Sequence, residues 1–428
     1  MPSLAKCLAL ALSAVLAATT ALRAQEPQDS LAERVRRAEE AIQRLEAQLA
    51  EQAQAKVQSR LRNTVELSGL ILVNGFYNSG KTNNSDVPLQ VDTLVPADTI
   101  GLPNGNVGAT LRQTRLGVRV SGARALGAEL SGELQLDFFG GQLPSIGGRT
   151  FPLLRIRTAS LRLDWAHVGL LIGQEAPLVS QQNPVSFASS GFPLFSRSGN
   201  LWMWIPQIRL TTETAGSSRL GIQVAALAPM QYKAQGAFLT QPDSAERSKR
   251  PSAEGRLYFA WGSEETASEI GVGGHLGWIA TAGDSLLQSR AVTADFRIAF
   301  GTHLVLSGEA FVGQALAALG GGGIGQDLGF GGLPVRTRGG WVQLDIRPSF
   351  AWELGGGYGM DDPNDEDFPA TGNWEYLGRL RNVTYTGHLI VRPGGGLLFG
   401  GEFRRIQTTY QPGWLAVNHV NVYAGLAF

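Results

Sequence analysis

The residues from Leu111 to Thr211 decide the fold. They contain five similar segments: LRQTRLGVRVSG (111–122), GAELSGELQLDFFGG (127–141), LRIRTASLRLDW (154–165), HVGLLIGQE (167–175) and PQIRLT (206–211). In the second segment the leucines at 130, 134 and 136 share one parity, whereas the carboxylates at 129, 133 and 137 share the other. A period of two predicts a β-strand with one apolar and one polar face.

The polar faces of these segments carry many charges. They are Arg115, Arg119, Glu129, Glu133, Asp137, Arg155, Arg157, Arg162, Asp164 and Arg209. A soluble sheet buries its apolar face under a second layer, and nothing in the sequence resembles such a layer. A transmembrane barrel instead turns the apolar face to lipid and the charges to a wet interior. The pattern therefore predicts an all-β transmembrane barrel.

Composition excludes some classes of function and agrees with a barrel. The 428 residues carry 36 basic and 36 acidic side chains, so no basic excess indicates a nucleic-acid partner. The 55 glycines are unusually many, and glycine suits bends in a curved wall. The single cysteine lies in the apolar leader, so the mature chain is predicted to form no disulfide.

The first 62 residues are predicted to form two segments outside the barrel. Residues 1–24 resemble a secretory signal peptide cut before Gln25, with an uncleaved membrane anchor as the alternative. Residues 25–62 hold about three heptads, which predict a periplasmic α-helical coiled coil followed by a linker. The alternative for the heptads is one amphipathic helix lying on the barrel.

From residue 63 to residue 428 we predict a sixteen-stranded antiparallel up-and-down barrel. The strands are expected near 63–80, 110–120, 128–139, 153–165, 168–174, 205–213, 219–227, 253–261, 268–280, 290–300, 303–314, 336–347, 349–360, 376–392, 396–410 and 416–428. Their connections alternate between short and mostly long, which is typical of outer-membrane barrels with the short turns in the periplasm. The final strand ends on Phe428, which we interpret as a signal for the barrel-assembly machinery.

Four of the opening segments resemble a known family. RQTRLGVRVSG, ELSGELQLDFFGG, LRLDWAHVGLLIGQE and NLWMWIPQIRL are similar to the early strands of Gram-negative general and anion-selective porins, above all the dicarboxylate-type (DcaP-like) porins. The resemblance covers about residues 108–212. It implies a homotrimer in the outer membrane, with an N-terminal coiled coil and a passive, water-filled channel. It also implies that the third long loop, residues 175–204, folds into the lumen.

The charges predict a mild preference for anions. The third loop carries Glu175 and Arg197 as its only charged residues, so it lacks the acidic character of many cation-preferring porins. The arginines of the early strands are expected to face this loop, with Glu129, Glu133 and Asp137 between them. The ring of charge left at a constriction sets selectivity, which favours small carboxylates or phosphates as solutes. The alternative is that these charges pair with one another and form only a scaffold.

Two other functions remain open from the sequence. The coiled coil could reach the cell wall, which would make the protein a structural tether. An outer-membrane hydrolase would need a serine and a histidine close together on the lipid face, such as Ser307 or Thr386 with His388. We expect no enzyme activity, no cofactor and no metal site, although the acidic run 361–367 leaves a divalent cation in an external loop as an alternative.

Overall fold

The computed structural model describes residues 57–58, 63–92, 104–141, 151–231, 241–263, 265–368 and 378–428. The chain divides into two units, Met1–Val57 and Gln58–Phe428. The predicted signal peptide and coiled coil lie outside the described residues. The only α-helix among the described residues is α1 (Gly322–Gly325). No helix in this part of the chain is long and apolar enough to cross a membrane.

Eighteen antiparallel strands form one sheet that closes on itself. The strands are β1 (Val57–Gln58), β2 (Thr64–Asn78), β3 (Asn106–Thr110), β4 (Arg115–Ala125), β5 (Ala128–Asp137), β6 (Arg155–Asp164), β7 (Val168–Glu175), β8 (Ile205–Glu213), β9 (Ser218–Leu227), β10 (Ser252–Trp261), β11 (Ser268–Ala280), β12 (Leu286–Phe300), β13 (Leu304–Gln314), β14 (Arg336–Ser349), β15 (Trp352–Pro363), β16 (Arg381–Gly394), β17 (Leu397–Tyr410) and β18 (Gly413–Ala427). The last strand pairs with β2, so that Tyr423 lies opposite Asn74. Short 3₁₀ turns occur in the connections at Glu246–Ser248, Ala282–Asp284, Ala317–Leu319, Phe330–Gly332 and Asp365–Asp367.

The predicted sixteen-stranded barrel is confirmed. Strands β3 and β4 pair with the two halves of β2 and together fill one position in the wall. With these two counted as one, and the two-residue β1 set aside, the wall has sixteen positions. Its connections are short on one side, such as residues 350–351, and mostly long on the other, such as 176–204.

The alternation in the sequence separates an outer from an inner face. On β18, Val420 and Val422 are 42% and 59% exposed, whereas Asn421 and Tyr423 between and beside them are buried. On β2 the exposed Ile71 alternates in the same way with buried neighbours. A wall with apolar side chains outside and polar ones inside suits a bilayer around a wet interior.

The first half of the barrel contains several irregularities, among them a register shift between Val120 and Ala123, and two of them turn adjacent residues inward. The first lies at residues 111–114, which separate β3 from β4. Arg112 and Gln113 are adjacent in the sequence yet both are buried, whereas adjacent residues of a regular strand point to opposite faces. The Arg112 guanidinium binds Asp86, and the Gln113 amide donates to the Ala188 carbonyl oxygen. The predicted unbroken strand 110–120 is therefore wrong at its start.

The second irregularity is a β-bulge at Arg157. In the β5–β6 ladder Gln135 pairs with Thr158 and Leu136 pairs with Ile156, so Arg157 has no partner. Beyond the bulge the parity of inward residues changes, which brings the even-numbered Arg162 onto the inner face together with the odd-numbered Arg157.

Candidate functional site in the barrel interior

The third loop, residues 176–204, lies inside the barrel. The Leu178 amide donates to Glu254 on β10 at 2.6 Å, and the Val185 amide donates to Gln343 on β14 at 2.6 Å. The carbonyl oxygen of Phe187 accepts from Asn74 on β2 at 3.1 Å. Because β2, β10 and β14 are widely separated around the wall, the loop crosses the interior.

Two further loops pack against the third. In the described part of the first loop that follows β2, residues 79–92, Gln90 accepts from Arg197 of the third loop at 2.8 Å. The carbonyl oxygen of Val91 accepts from the Tyr410 hydroxyl of the wall at 2.7 Å. In the sixth loop, residues 315–335, the carbonyl oxygen of Leu319 accepts from the Trp202 amide at 2.8 Å. Leu201 and Leu316 join the same buried apolar cluster. The interior is therefore narrowed by three loops held to the wall and to each other.

The first group of predicted residues gathers around the buried carboxylate of Asp137. Arg155 binds it through two nitrogens, at 3.0 and 2.7 Å, and Arg157 binds it at 3.2 Å. The same two guanidinium groups donate to the third loop, Arg155 to the carbonyl oxygen of Gly191 at 2.7 Å and Arg157 to that of Ser190. We expected the loop to face these arginines across water, and instead it binds them directly.

Aromatic rings hold the same arginines from the other side. The guanidinium carbon of Arg157 lies 4.4 Å from the centroid of the Trp204 ring, and that of Arg155 lies 5.2 Å from it. Phe139 and Phe192 also lie within 6 Å of Arg155. Stacking and hydrogen bonding together fix these side chains, so this group acts mainly as an anchor for the loop.

Arg115 stands in register with Asp137 on the neighbouring strand. It lines a cavity of about 380 Å³ together with Phe187 of the third loop and Arg392 of β16. This cavity brings two guanidinium groups from distant parts of the chain to one opening beside the loop.

A second group of predicted residues faces open space. Arg162, Asp164 and Arg209 line a cavity of about 350 Å³ together with Gln181 of the third loop. Arg162 pairs loosely with Asp164 at 3.6 Å, and both side chains are about half exposed. Arg209 donates to the Gln207 side chain and to the Ala176 carbonyl oxygen. Glu213 and Arg219 line the same cavity and pair with each other at 3.2 Å. No carboxylate of the described residues forms an ion pair with Arg209, so the three guanidinium groups of this cavity outnumber its two carboxylates.

A third group has mixed charge. Arg119 lies directly opposite Glu66 on one side and Glu133 on the other. All three line a cavity of about 220 Å³. Because two carboxylates flank one guanidinium, this part of the inner wall adds no net positive charge.

Glu129 and Arg197 belong to none of these groups. Glu129 pairs with Arg124 at 3.2 Å beside a short turn, where both side chains are at least 75% exposed. Arg197 donates to Gln90 of the first loop at 2.8 Å. It lies near Arg379, whose pKa is lowered to about 10 by burial and by the charge of Arg197. Arg197 therefore joins the third loop to the first loop and does not belong to the arginine groups described above.

Phe428 lies at the seam where the barrel closes. Its carbonyl oxygen accepts from the Gly69 amide at 2.9 Å, and its own amide donates to the Gly69 carbonyl oxygen at 3.1 Å. The ring is 58% exposed on the outer face and lies over Gly69, where an added Cβ would stand 2.5 Å from it. The residue thus extends the last strand and leaves its aromatic ring accessible from outside the barrel.

The sequence analysis missed a set of buried acids on the opposite side of the interior. These residues are 5% exposed or less: Glu254, Asp295, Glu309, Asp345 and Glu402. Glu309 accepts from the Gln182 amide of the third loop at 2.8 Å and from the Trp341 indole at 3.2 Å. Their strands show the same alternation as the early ones, but alternation does not show what these acids bind. The partner can come from the loop, as at Glu309, or from another strand, as at Asp295, which pairs with Arg256 at 2.5 Å.

Two alternatives from the sequence are not supported by the described residues. His388 and Ser307 are buried on the inner face, so the serine and histidine that a lipid-face hydrolase would need do not lie there. In the external acidic run, Asp362 pairs with Arg338 and Arg381 at 2.8 Å each. The carboxylate of Asp362 is thus held by arginine. The expected external loop is wrong at its start, because Asp361 lies buried on β15 and accepts from the Thr337 hydroxyl at 2.6 Å.

Comparisons with solved structures show the same architecture. The outer-membrane channel DcaP of Acinetobacter baumannii is 15% identical, with a TM-score of 0.65, over 87% of this chain and 99% of that one. An anion-selective porin from Comamonas acidovorans is 13% identical, with a TM-score of 0.55, over 86% and 100%. OprB of Pseudomonas putida is 11% identical, with a TM-score of 0.52, over 85% and 94%.

Sequence comparisons add no closer relative, since no protein-family model and no curated protein sequence matches this chain. The similarity to solved structures instead rests on the closed barrel, which spans nearly the full length of each. It agrees with the porin resemblance of residues 108–212. The chain has the sixteen-stranded barrel fold of the outer-membrane porins.

Proposed function

We propose that this protein is an outer-membrane porin through which small hydrophilic solutes diffuse passively, with a mild preference for anions of the carboxylate or phosphate type. The observation that carries the preference is the cavity of Arg162 and Arg209 beside the third loop, in which Arg209 forms no ion pair with a carboxylate of the described residues and three guanidinium groups face two carboxylates. Guanidinium groups bind carboxylate and phosphate oxygens in bidentate fashion. The similarity to a porin whose name records anion selectivity supports the same choice.

The third loop forms the constriction in this proposal. It is bound to the wall on several sides, so solutes pass between the loop and the part of the wall that it leaves open. The long loops face the exterior and the short turns face the periplasm. Residues 1–24 are a signal peptide that is removed, and residues 25–62 are a periplasmic coiled coil and linker in a homotrimer. The barrel-assembly machinery reads the exposed terminal aromatic ring of Phe428, and the outer-membrane lipids surround the apolar face.

A planar bilayer recording with the purified protein tests this function. We expect steady ohmic steps whose reversal potential under a KCl gradient has the sign of a chloride-preferring pore. A folded protein that conducts no current would contradict the proposal and would favour a tether between the outer membrane and the cell wall. A strongly cation-selective current would support the function as a pore but would contradict the anion preference assigned to Arg162 and Arg209.

A further inference from the structure

A cluster of three potential metal ligands lies on adjacent strands, away from the arginines considered above. Asp345 belongs to β14, Glu353 to β15 and His388 to β16. Their donor atoms all lie within 4.8 Å of one another, and all three residues are buried. An imidazole with two carboxylates is a donor set that suits divalent transition metals such as Zn²⁺.

A glycine makes this cluster sterically feasible. In the sheet register Asp345 pairs with Gly355, and Gly355 pairs with His388, so the two ligands stand on either side of a residue without a side chain. A Cβ at position 355 would lie 2.4 Å from Asp345 Oδ1 and 2.5 Å from His388 Nε2. Both side chains therefore lean over the glycine toward each other, which a larger residue at this position would prevent.

The polar atoms that point into the cluster lack hydrogen bonds. Three atoms have no hydrogen-bonding partner among the described residues. They are Asp345 Oδ1 and the two ring nitrogens of His388. The two side chains are 0% and 2% exposed. Buried polar groups are almost always satisfied, because leaving one unpaired costs about 1–3 kcal/mol. A ligand that both atoms bind at once would explain why the fold keeps them together.

The distance between the two atoms fits a bound ion better than a direct hydrogen bond. Asp345 Oδ1 and His388 Nε2 are 3.4 Å apart. In a tetrahedral zinc site with metal–ligand bonds of about 2.0–2.1 Å, two ligand atoms stand about 3.4 Å apart. We propose that Asp345 and His388, with Glu353 as the third ligand, bind one divalent transition-metal ion on the inner wall of the barrel.

Two arginines limit how tightly Glu353 can take part. Its Oε2 atom lies 3.2 Å from Arg347 Nε and 2.9 Å from Arg392 Nη1. These charges repel a cation, so Asp345 and His388 provide the main bonds and Glu353 is shared with the arginines. The ion would join three neighbouring strands near the turn 350–351, and its role is to stiffen this part of the wall.

Metal binding to the folded protein tests the proposal, with Co²⁺ and Zn²⁺ as probes. The full chain is purified without a histidine tag in chelator-washed detergent buffer, and the visible absorption of Co²⁺ and the heat of Zn²⁺ binding are measured. We expect one ion per chain, displacement of Co²⁺ by Zn²⁺, and a higher temperature for heat unfolding of the barrel with Zn²⁺. The substitutions His388→Ala and Asp345→Asn should each weaken binding by roughly tenfold or more, as loss of a ligand or of its support does.

Two further variants separate the site from general effects. Gly355→Ala should abolish binding through its added methyl group, without removing any ligand. His167→Ala, in an exposed short turn, should bind as the original protein does. If His388→Ala does not fold into a heat-modifiable barrel, the binding of metal by Gly355→Ala and Asp345→Asn decides the test. Absence of binding to the folded original protein, or equal binding by all folded variants, would overturn the proposal whether or not the barrel conducts.

Discussion

The two sides of the barrel interior bind the same loop in opposite ways. On the arginine side, formed by β4–β9, guanidinium groups donate to loop carbonyl oxygens, as Arg155 does to Gly191. On the acidic side, formed by β10–β17, carboxylates accept from loop amides, as Glu309 does from Gln182. A peptide backbone carries both donors and acceptors, so one loop can be held by guanidinium groups on one side and by carboxyl groups on the other. Many of the wall charges are thus used to fix the loop.

A second difference lies within the arginine side itself. Arg157 is 7% exposed and shares the carboxylate of Asp137, whereas the Arg162 side chain is 53% exposed in an open cavity. A charge that is buried beneath the loop lies farther from the water through which an ion passes than a charge in an open cavity. It therefore contributes less to the field that the ion meets. The comparison teaches that the positions of arginines in the sequence do not by themselves identify those that select ions.

The largest expected effect tests whether the buried part of the arginine side is structural. Asp137→Asn removes the one negative charge that Arg155 and Arg157 share, and breaking a buried pair typically costs about 3–5 kcal/mol. We expect the barrel to unfold at a clearly lower temperature. This temperature is measured by heating samples stepwise and recording on a gel where the migration of the folded barrel changes to that of the unfolded chain. Asp164→Asn, whose carboxylate is half exposed, is the matched control. Equal stability of the two variants would show that the Asp137 group is not an anchor.

The next prediction tests the anchor on the acidic side. Glu309→Ala removes the acceptor for the Gln182 amide and the Trp341 indole, and a buried donor left without a partner costs about 1–3 kcal/mol. We expect a loosened loop, seen as larger and noisier single-channel currents from a barrel that still folds. Glu129→Ala at the exposed turn should leave the currents as they were. Unchanged currents in Glu309→Ala would mean that the loop does not depend on this wall.

A smaller effect is expected where opposite charges share an open cavity. Glu133→Gln leaves Glu66 as the only carboxylate that lines the cavity of Arg119, so the cavity becomes more positive. Charges in a wet interior interact by about 1 kcal/mol at 4 Å. The reversal potential under a salt gradient should move slightly toward chloride. A shift toward potassium would contradict the charge balance proposed for this region.

The smallest effect on the purified protein concerns the seam. Deleting Phe428 removes two backbone hydrogen bonds with Gly69 at the edge of a long ladder. We expect the purified barrel to fold and conduct nearly as before, while its amount in the outer membrane of cells falls. Phe428→Tyr keeps an aromatic ring and should restore the amount. Normal membrane levels of the shortened chain would show that this residue is no assembly signal.

The sequence predicted the wall well because the wall obeys one local rule. The strands expected at 205–213 and 268–280 occur as Ile205–Glu213 and Ser268–Ala280. Alternation of polar and apolar residues identifies such strands without knowledge of their neighbours. The rule fails at Arg112 and Arg157, where adjacent residues both turn inward to meet Asp86 or the third loop. Those contacts join residues 26 and 33 positions apart, which periodicity cannot reveal.

The interior was harder to predict, because its contacts depend on the path of the loops. The sequence identified Arg157, Arg162 and Arg209 as inward charges. It did not show that Arg162 and Arg209 line an open cavity, whereas Arg157 binds Asp137. It also gave no sign that Glu309 would receive a loop amide, or that Asp345 and His388 would meet over Gly355. Each of these contacts joins residues that are far apart in the sequence and become neighbours only through sheet register or loop folding.

The most direct test of the central claim compares two variants in the same recording. The claim is that the arginines lining the cavity beside Gln181 of the third loop set the selectivity, whereas those bound to Asp137 hold the loop. Under a KCl gradient, Arg162→Ala with Arg209→Ala should move the reversal potential toward potassium, by up to about a fivefold change in permeability ratio for about 1 kcal/mol. Arg157→Ala should move it much less and should instead lower the temperature of heat unfolding. A larger shift for Arg157→Ala than for the double variant, or no shift in either, would contradict the account.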